Sequence, residues 1–341
     1  MTKARNSIIN VSDTPYYHCM GRCVRRAFLC GEDQLTGKDF SHRKQWIVDK
    51  LAELSSVFMI DVCAYAVMSN HYHLVLKINH EQVQQLSDNE VIEQWMMLFK
   101  GNVLIARYLN GDCKSQAELK KVTETIELWR DRLSDISWFM RCLNESIAHQ
   151  ANAEDNCTGR FWEGRFKSQA LLNEQALLSC MAYVDLNPIR AGISSSLDES
   201  EFTSIEQRIK AIGFRAEVLG GREDQENKKL AQGNEEKSGL KLADFVGGKQ
   251  VDGIAFRFMD YLELVDWTGR AVREDKSGFI AENEPKILEK LGVCSDIWFK
   301  TVAQYSDSFY SHIGSESQLQ VICQDSNKKW LAGMRSCRQL F

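Results

Sequence analysis

Nowhere in its 341 residues does the chain carry an uninterrupted apolar run of the roughly 20 residues needed to span a bilayer. The opening stretch, Met1 to Asn6, also lacks the apolar core of a secretion signal, so a cytoplasmic, membrane-free protein is expected. Cysteine is present 11 times but never as C-x-x-C, which argues against a disulfide framework and reads as reduced thiols. Cys19 and Cys23 lie near His18, yet a zinc site there would still want a fourth ligand. A positive balance of charge is missing, with 42 Lys and Arg against 47 Asp and Glu. The net charge is -5, which does not advertise a nucleic-acid partner, because phosphate contacts supply most of the affinity for DNA.

A sum hides local patches. Lys3, Arg5, Arg22, Arg25 and Arg26 face only Asp13 in the opening segment, and Arg160, Arg165, Lys167 and Arg190 form a second basic group. The acid is spread elsewhere, notably over 193–341. With 44% hydrophobic and 26% charged residues, the composition is that of a soluble globular protein, long enough for more than one domain.

The most informative stretch is Met68 to Leu76. An apolar run from Phe58 to Met68 precedes it, and only Ser69 and Asn70 separate that run from His71, so a β-hairpin is expected. Alternation puts His71, His73 and Val75 on one face and Tyr72, Leu74 and Leu76 on the other. Two imidazoles then project the same way, about 7 Å apart along the strand, as two ligands of one divalent cation could.

Before the hairpin, Tyr16 to Arg22 reads as an inner strand, and Ser41 can cap a helix carrying Trp46, Ile47, Leu51 and Leu54. After it the pattern turns helical. Val91, Trp95, Leu98 and Phe99 form one stripe, and Leu119, Val122, Ile126, Trp129 and Leu133 another; Phe139, Leu143 and Ile147 mark a third helix. Strand, helix, strand, strand and then helices predict an α+β fold, an antiparallel sheet with packed helices.

Gly159 to Ser168 interleaves Arg160, Arg165 and Lys167 with Phe161, Trp162 and Phe166, a mix that can neutralise phosphate and stack unpaired bases, though the aromatics could equally pack a hairpin into the core. Asn173 can cap a helix that buries Leu177, Leu178, Met181 and Val184. On that helix Tyr183 and Asn187 are four apart and share a face, and Pro188 brings it to an end. Residues 220–240 are polar and charged and read as a linker, and apolar residues return with Phe256, Phe258, Tyr261, Leu262, Leu264, Val265 and Trp267. The expected organisation is a catalytic domain over 1–192 with a helical insertion at about 81–135, a connecting helix and linker over 193–240, and a smaller, mostly helical domain over 241–341.

His71-Tyr72-His73 after an apolar strand resembles the HUH signature of single-strand DNA nucleases and transposases. Three blocks, Tyr16 to Arg22, Gly159 to Ser168 and Tyr183 to Gly192, make the chain resemble REP-associated tyrosine transposases over roughly residues 5 to 192. The resemblance implies a single-strand DNA endonuclease and strand transferase acting through a covalent 5'-phosphotyrosine. Tyr183 would be the nucleophile, and His71, His73 and Asn187 the ligands of Mg2+ or Mn2+. Arg22, Arg25, Arg26, Arg160, Arg165, Lys167, Arg190, Phe161 and Trp162 would contact DNA. The partner implied is single-stranded or hairpin DNA from repetitive palindromes, with a monomer favoured. One departure is Asp185, where the family often carries histidine; a solvated acid is expected there in preference to a ligand. Two other readings stay open: a metal-dependent hydrolase without a covalent tyrosine, and a domesticated regulator bound to repeat DNA.

Overall fold

The computed structural model describes residues 8–24, 30–31, 37–220, 239–247, 253–273 and 285–341. Its sheet takes strands from Tyr16–Arg22 (β1), Ile60–Val67 (β2), His71–Ile78 (β3), Lys167–Leu171 (β4) and His312–Ile313 (β5), in the order β2-β3-β1-β4-β5. The first four pair antiparallel, and β5 joins β4 in parallel. The α+β fold expected from the sequence is observed. Ser69 and Asn70 form the turn between β2 and β3, closed by the Met68 amide donating to the His71 carbonyl at 2.8 Å.

Helices Arg43–Val57 (α1), His80–Gln85 (α2), Asp88–Leu98 (α3), Val103–Leu109 (α4), Gln116–Leu133 (α5) and Ile136–Glu154 (α6) separate the hairpin from β4. In α1 the spacing of Ile47, Leu51 and Leu54 places all three in the core, worth about 1.5–3 kcal/mol each on burial. Ser41 does not cap it: His42 is the cap residue, and the Ser41 hydroxyl donates instead to Asp39 at 2.6 Å. The guanidinium of Arg43, fully buried, pairs with Glu154 at 2.6 Å and with Asp155, tying α1 to the end of α6. Within the expected insertion, Ser87 and Ser115 open α3 and α5 with capping boxes, and Trp95 stacks on Trp129 with centroids 5.5 Å apart.

Beyond β4 come Glu174–Asp185 (α7), Asn187–Arg190 (α8) and Ser204–Gly220 (α9). Asn173 caps α7, accepting from the Ala176 amide at 2.8 Å. The chain continues through Phe258–Arg273 (α10), Lys286–Leu291 (α11), Ser295–Ala303 (α12), Tyr305–Ser308 (α13), Glu316–Asp325 (α14) and Met334–Leu340 (α15). Most of the expected linker, 221–238, lies outside the described residues. The segment after it packs directly on the earlier elements. α12 lies against α7, β5 extends the sheet beyond β4, and Gln318 Nε2 donates to the Leu172 carbonyl at 2.7 Å. Among the described residues no helix is long and apolar enough to cross a membrane.

Candidate active site

The register of β1 decides what shares a face. Arg22 stands opposite His71 and Met20 opposite His73 on one side, while Lys167 faces Met20 and Gln169 faces His18 on the other. Directly opposed residues in an antiparallel pair project to the same face. One face of the sheet therefore gathers His71, His73, His18, Gln169, Arg22 and Lys167. Tyr72 takes the other face, as alternation requires, and its hydroxyl donates to Asn144 Oδ1 on α6 at 2.7 Å. Gly21 is explained by that ring, since a Cβ there would lie 2.6 Å from Tyr72 side-chain atoms.

Helix α7 covers the histidine face and delivers Tyr183, whose ring centroid is 5.5 Å from that of His73 and 6.2 Å from that of His18. Tyr305 of α13 stacks on the Tyr183 ring at 4.6 Å, and the Arg190 guanidinium lies 4.9 Å over it while donating to the Ala303 carbonyl at 2.7 Å. Tyr183 is only 7% exposed as a result. Any group that approached its hydroxyl would have to pass these neighbours or displace Tyr305.

Burial sets the protonation states. It pushes His18 and His71 down to about 4, the charge of Arg22 adding to the effect at His71. His73 is held well below the usual imidazole range by burial, with the neighbouring His18, His71 and Arg190 contributing. Neutral imidazoles at neutral pH are what a metal requires. For Tyr183, burial raises the phenol, while the Arg190 charge and hydrogen bonds from Asn187 and Arg190 pull the other way.

A divalent cation can be tested against these side chains. His71 is bonded through Nδ1 to Asn70 Oδ1 at 2.6 Å, and His73 through Nδ1 to His18 Nε2 at 2.9 Å. Nε2 of His73 is buried without a hydrogen-bond partner among the described residues, and the His71 and His73 ring centroids lie 4.9 Å apart. A buried acceptor left unmade costs about 1–3 kcal/mol, so an orphaned lone pair beside a second imidazole fits a missing ligand. No group of three or more His, Cys, Asp or Glu able to hold a metal occurs among the described residues, so the third protein donor could only be of another type. Asn187 is buried nearby, but its Nδ2 donates to the Tyr183 carbonyl at 3.2 Å, a helix-ending bond.

Two expectations are corrected. Asp185 is neither solvated nor a ligand: it is 1% exposed and accepts from Ser204 Oγ at 2.5 Å, the Ile205 amide at 3.1 Å and Tyr261 Oη at 2.6 Å. Burial pushes its carboxyl up to about 6 against those bonds. Phe161, offered as a base-stacking platform, is 2% exposed, because the Val24 amide bonds its carbonyl at 3.0 Å and docks the strip against the end of β1. Trp162 is half-buried, its Nε1 donating to the Asn144 carbonyl at 2.8 Å, which leaves that indole edge inside.

The basic residues fare differently. Arg160, Arg165 and Lys167 are exposed, and Arg22, also exposed, faces Glu163 at 3.8 Å. Arg190 belongs to the tyrosine, and Arg25 and Arg26 lie outside the described residues. The sequence did not mark Gln169 or Tyr305 as site residues, and it offered His18 only as a zinc ligand; the pairing of β1 with both β3 and β4 is what brings His18 and Gln169 in.

No family model matches the chain, and no curated protein does. One solved structure, of a REP-associated tyrosine transposase bound to a REP hairpin, superposes on 62% of this chain and 86% of its own, with 14% identity and a TM-score of 0.36.

Proposed function

We propose that this protein cuts and rejoins single-stranded DNA, with Tyr183 as the covalent nucleophile and His71 and His73 as ligands of Mg2+ or Mn2+. The observation that carries the reading is the meeting of His73 on β3 with Tyr183 on α7, far apart in sequence, on the sheet face that also presents Arg22 and Lys167. When bound, a divalent cation would withdraw charge from the phosphoryl group and orient it. Asn187, on the helix turn after Tyr183, is the proposed third protein donor.

Arg22, Arg160, Arg165 and Lys167 bind phosphates of the strand, and Arg190 lowers the cost of forming the tyrosinate beside it. Tyr183 Oη gives its proton to water and forms a bond to phosphorus. The bond from phosphorus to the 3' oxygen breaks, and that oxygen takes a proton to become a free hydroxyl. The phosphotyrosine keeps the bond energy, so attack by another 3' hydroxyl restores a phosphodiester and frees the tyrosine without ATP. Hairpin DNA of palindromic repeats is the proposed substrate class, on the motif resemblance of Tyr16 to Arg22, Gly159 to Ser168 and Tyr183 to Gly192.

Labelled single-stranded hairpin oligonucleotides, incubated with Mn2+ or EDTA and run on denaturing gels, test this. A metal-dependent protein adduct on the 5' phosphate is expected. Cleavage without an adduct would select a hydrolase, and binding without cleavage a regulator.

A further inference from the structure

A chain of hydrogen bonds crosses three strands behind the histidine pair, and it has a direction. Gln169 Nε2 donates to the Phe309 carbonyl at 3.1 Å, an oxygen that can only accept, so the amide presents Oε1 to His18. His18 Nδ1 lies 2.7 Å from that oxygen and must carry a proton. His18 and His73 are both buried, and neither pairs with a carboxylate among the described residues, so each ring is neutral and carries one proton. His18 Nε2 is therefore a lone pair, and His73 Nδ1, 2.9 Å away, must donate to it. That leaves the lone pair of His73 on Nε2, the atom that is buried with no partner among the described residues.

We propose that Gln169 and His18 are positioning residues that lock His73 in its Nδ1–H tautomer and hold its Nε2 lone pair toward the site as a preformed metal donor. The inference rests on the reading of His73 as a ligand. The strand register makes the device possible, since Gln169 stands directly opposite His18 on β4 and β1, while His18 reaches diagonally to His73 on β3. A backbone carbonyl, Phe309, anchors the far end, so the polarity of the chain is set by an atom that cannot reverse. His71 has a shorter version, its Nδ1 bonded to the neighbouring Asn70 Oδ1 at 2.6 Å.

The test has two readouts on the metal-free and metal-loaded full chain. Long-range proton–nitrogen correlation spectra of ring-labelled protein report which nitrogen of His73 is protonated, and calorimetric titration with Mn2+ alone reports affinity. Wild-type protein should show the Nδ1–H pattern at His73. His18→Leu, which removes the acceptor, should scramble that pattern and weaken Mn2+ binding about 10–100-fold, the usual cost of losing the partner of a ligating histidine. His18→Gln should restore most of the affinity through its side-chain oxygen, and Gln169→Leu should give a smaller loss in a protein that keeps the inner bond. If His18→Leu does not fold, the Gln169→Leu comparison carries the test, and unchanged affinity and tautomer there would overturn the proposal. An Nε2–H pattern at wild-type His73 would overturn it outright. No Mn2+ binding to a wild-type protein with the Nδ1–H pattern would instead overturn the reading of His73 as a ligand, leaving the tautomer lock in place.

Discussion

The two halves of the site are built in opposite ways. On the sheet, His71 and His73 are fixed by bonds from their Nδ1 atoms to Asn70 and His18, short contacts inside a regular register. On the helix, Tyr183 is covered by the Tyr305 ring and the Arg190 guanidinium, which come from other elements, with Asn187 and Arg190 also hydrogen-bonding its phenol. Direction and protonation are thus imposed on the imidazoles, whereas most of what surrounds the phenol is ring packing. Ring packing can be opened with fewer directed bonds broken than a relay, so the helix half is the part of the site freer to rearrange.

The sharpest way to break this comparison is Tyr183→Phe. It should abolish adduct and cleavage, a loss of at least about 10³-fold, while Mn2+ binding to the sheet half persists and unfolding free energy changes by about 1 kcal/mol or less. Residual cleavage near the wild-type rate would remove Tyr183 from the chemistry.

Next in size is a contrast along one strand. His71→Ala should cost cleavage about 10²-fold with little effect on stability, because the ring is half-exposed. Tyr72→Phe should do the reverse, destabilising by about 1 kcal/mol through loss of the hydrogen bond to the half-buried Asn144, with cleavage unchanged. Equal loss of cleavage in both variants would contradict the two-faced register.

Acid should separate the halves again. His18 and His71 titrate near 4 when folded and His73 well below its ordinary value, so the stability they contribute is present above about 6.5 and is lost as pH falls toward 4. Asp185 opposes them: its folded value near 6 lies above the unfolded value of about 3.9, so its contribution grows as pH falls through the same window. Melting temperature should decline below pH 6.5, because three groups outweigh one. In Asp185→Asn the decline should be steeper, and a shallower one would mean that the carboxyl is already ionised at low pH in the fold.

The smallest effects belong to the exposed cations. Replacing Arg160, Arg165 or Lys167 by alanine should weaken binding to every single strand severalfold, and each true phosphate contact should flatten the log-log salt slope by about 0.7. A slope that does not move would make them a solvated rim.

What the sequence disclosed follows the same division. His71 and His73 were legible because alternation is local, and Tyr183 with Asn187 because helical spacing is. His18 and Gln169 were not, since their partnership depends on strands 151 residues apart being neighbours. Phe161 misled because an aromatic among arginines has the composition of a base-stacking loop whether it faces out or in. Asp185 misled because its polar partners, Ser204 and Tyr261, arrive from α9 and α10. The helices α3 and α5 were legible in their apolar stripes, since helical spacing is local too.

The parallel pairing of β5 with β4 also fixes an order of events during folding. The link from Gln169 to Phe309 closes a stretch of 140 residues, and such a loop must lose its freedom before the contact rewards it. The β2–β3 hairpin, joined by a two-residue turn, can form early; the anchor of the histidine relay and the ring that covers Tyr183 arrive last. Until they do, β4 is an open strand edge, because its Ala170 amide, like that of Leu172 just beyond it, has yet to meet the carbonyls of Ser311 and Ile313. An open edge invites pairing with another chain. Until the segment carrying Tyr305 and β5 docks, Tyr183 is uncovered and the sheet unfinished, and that one segment ends both conditions.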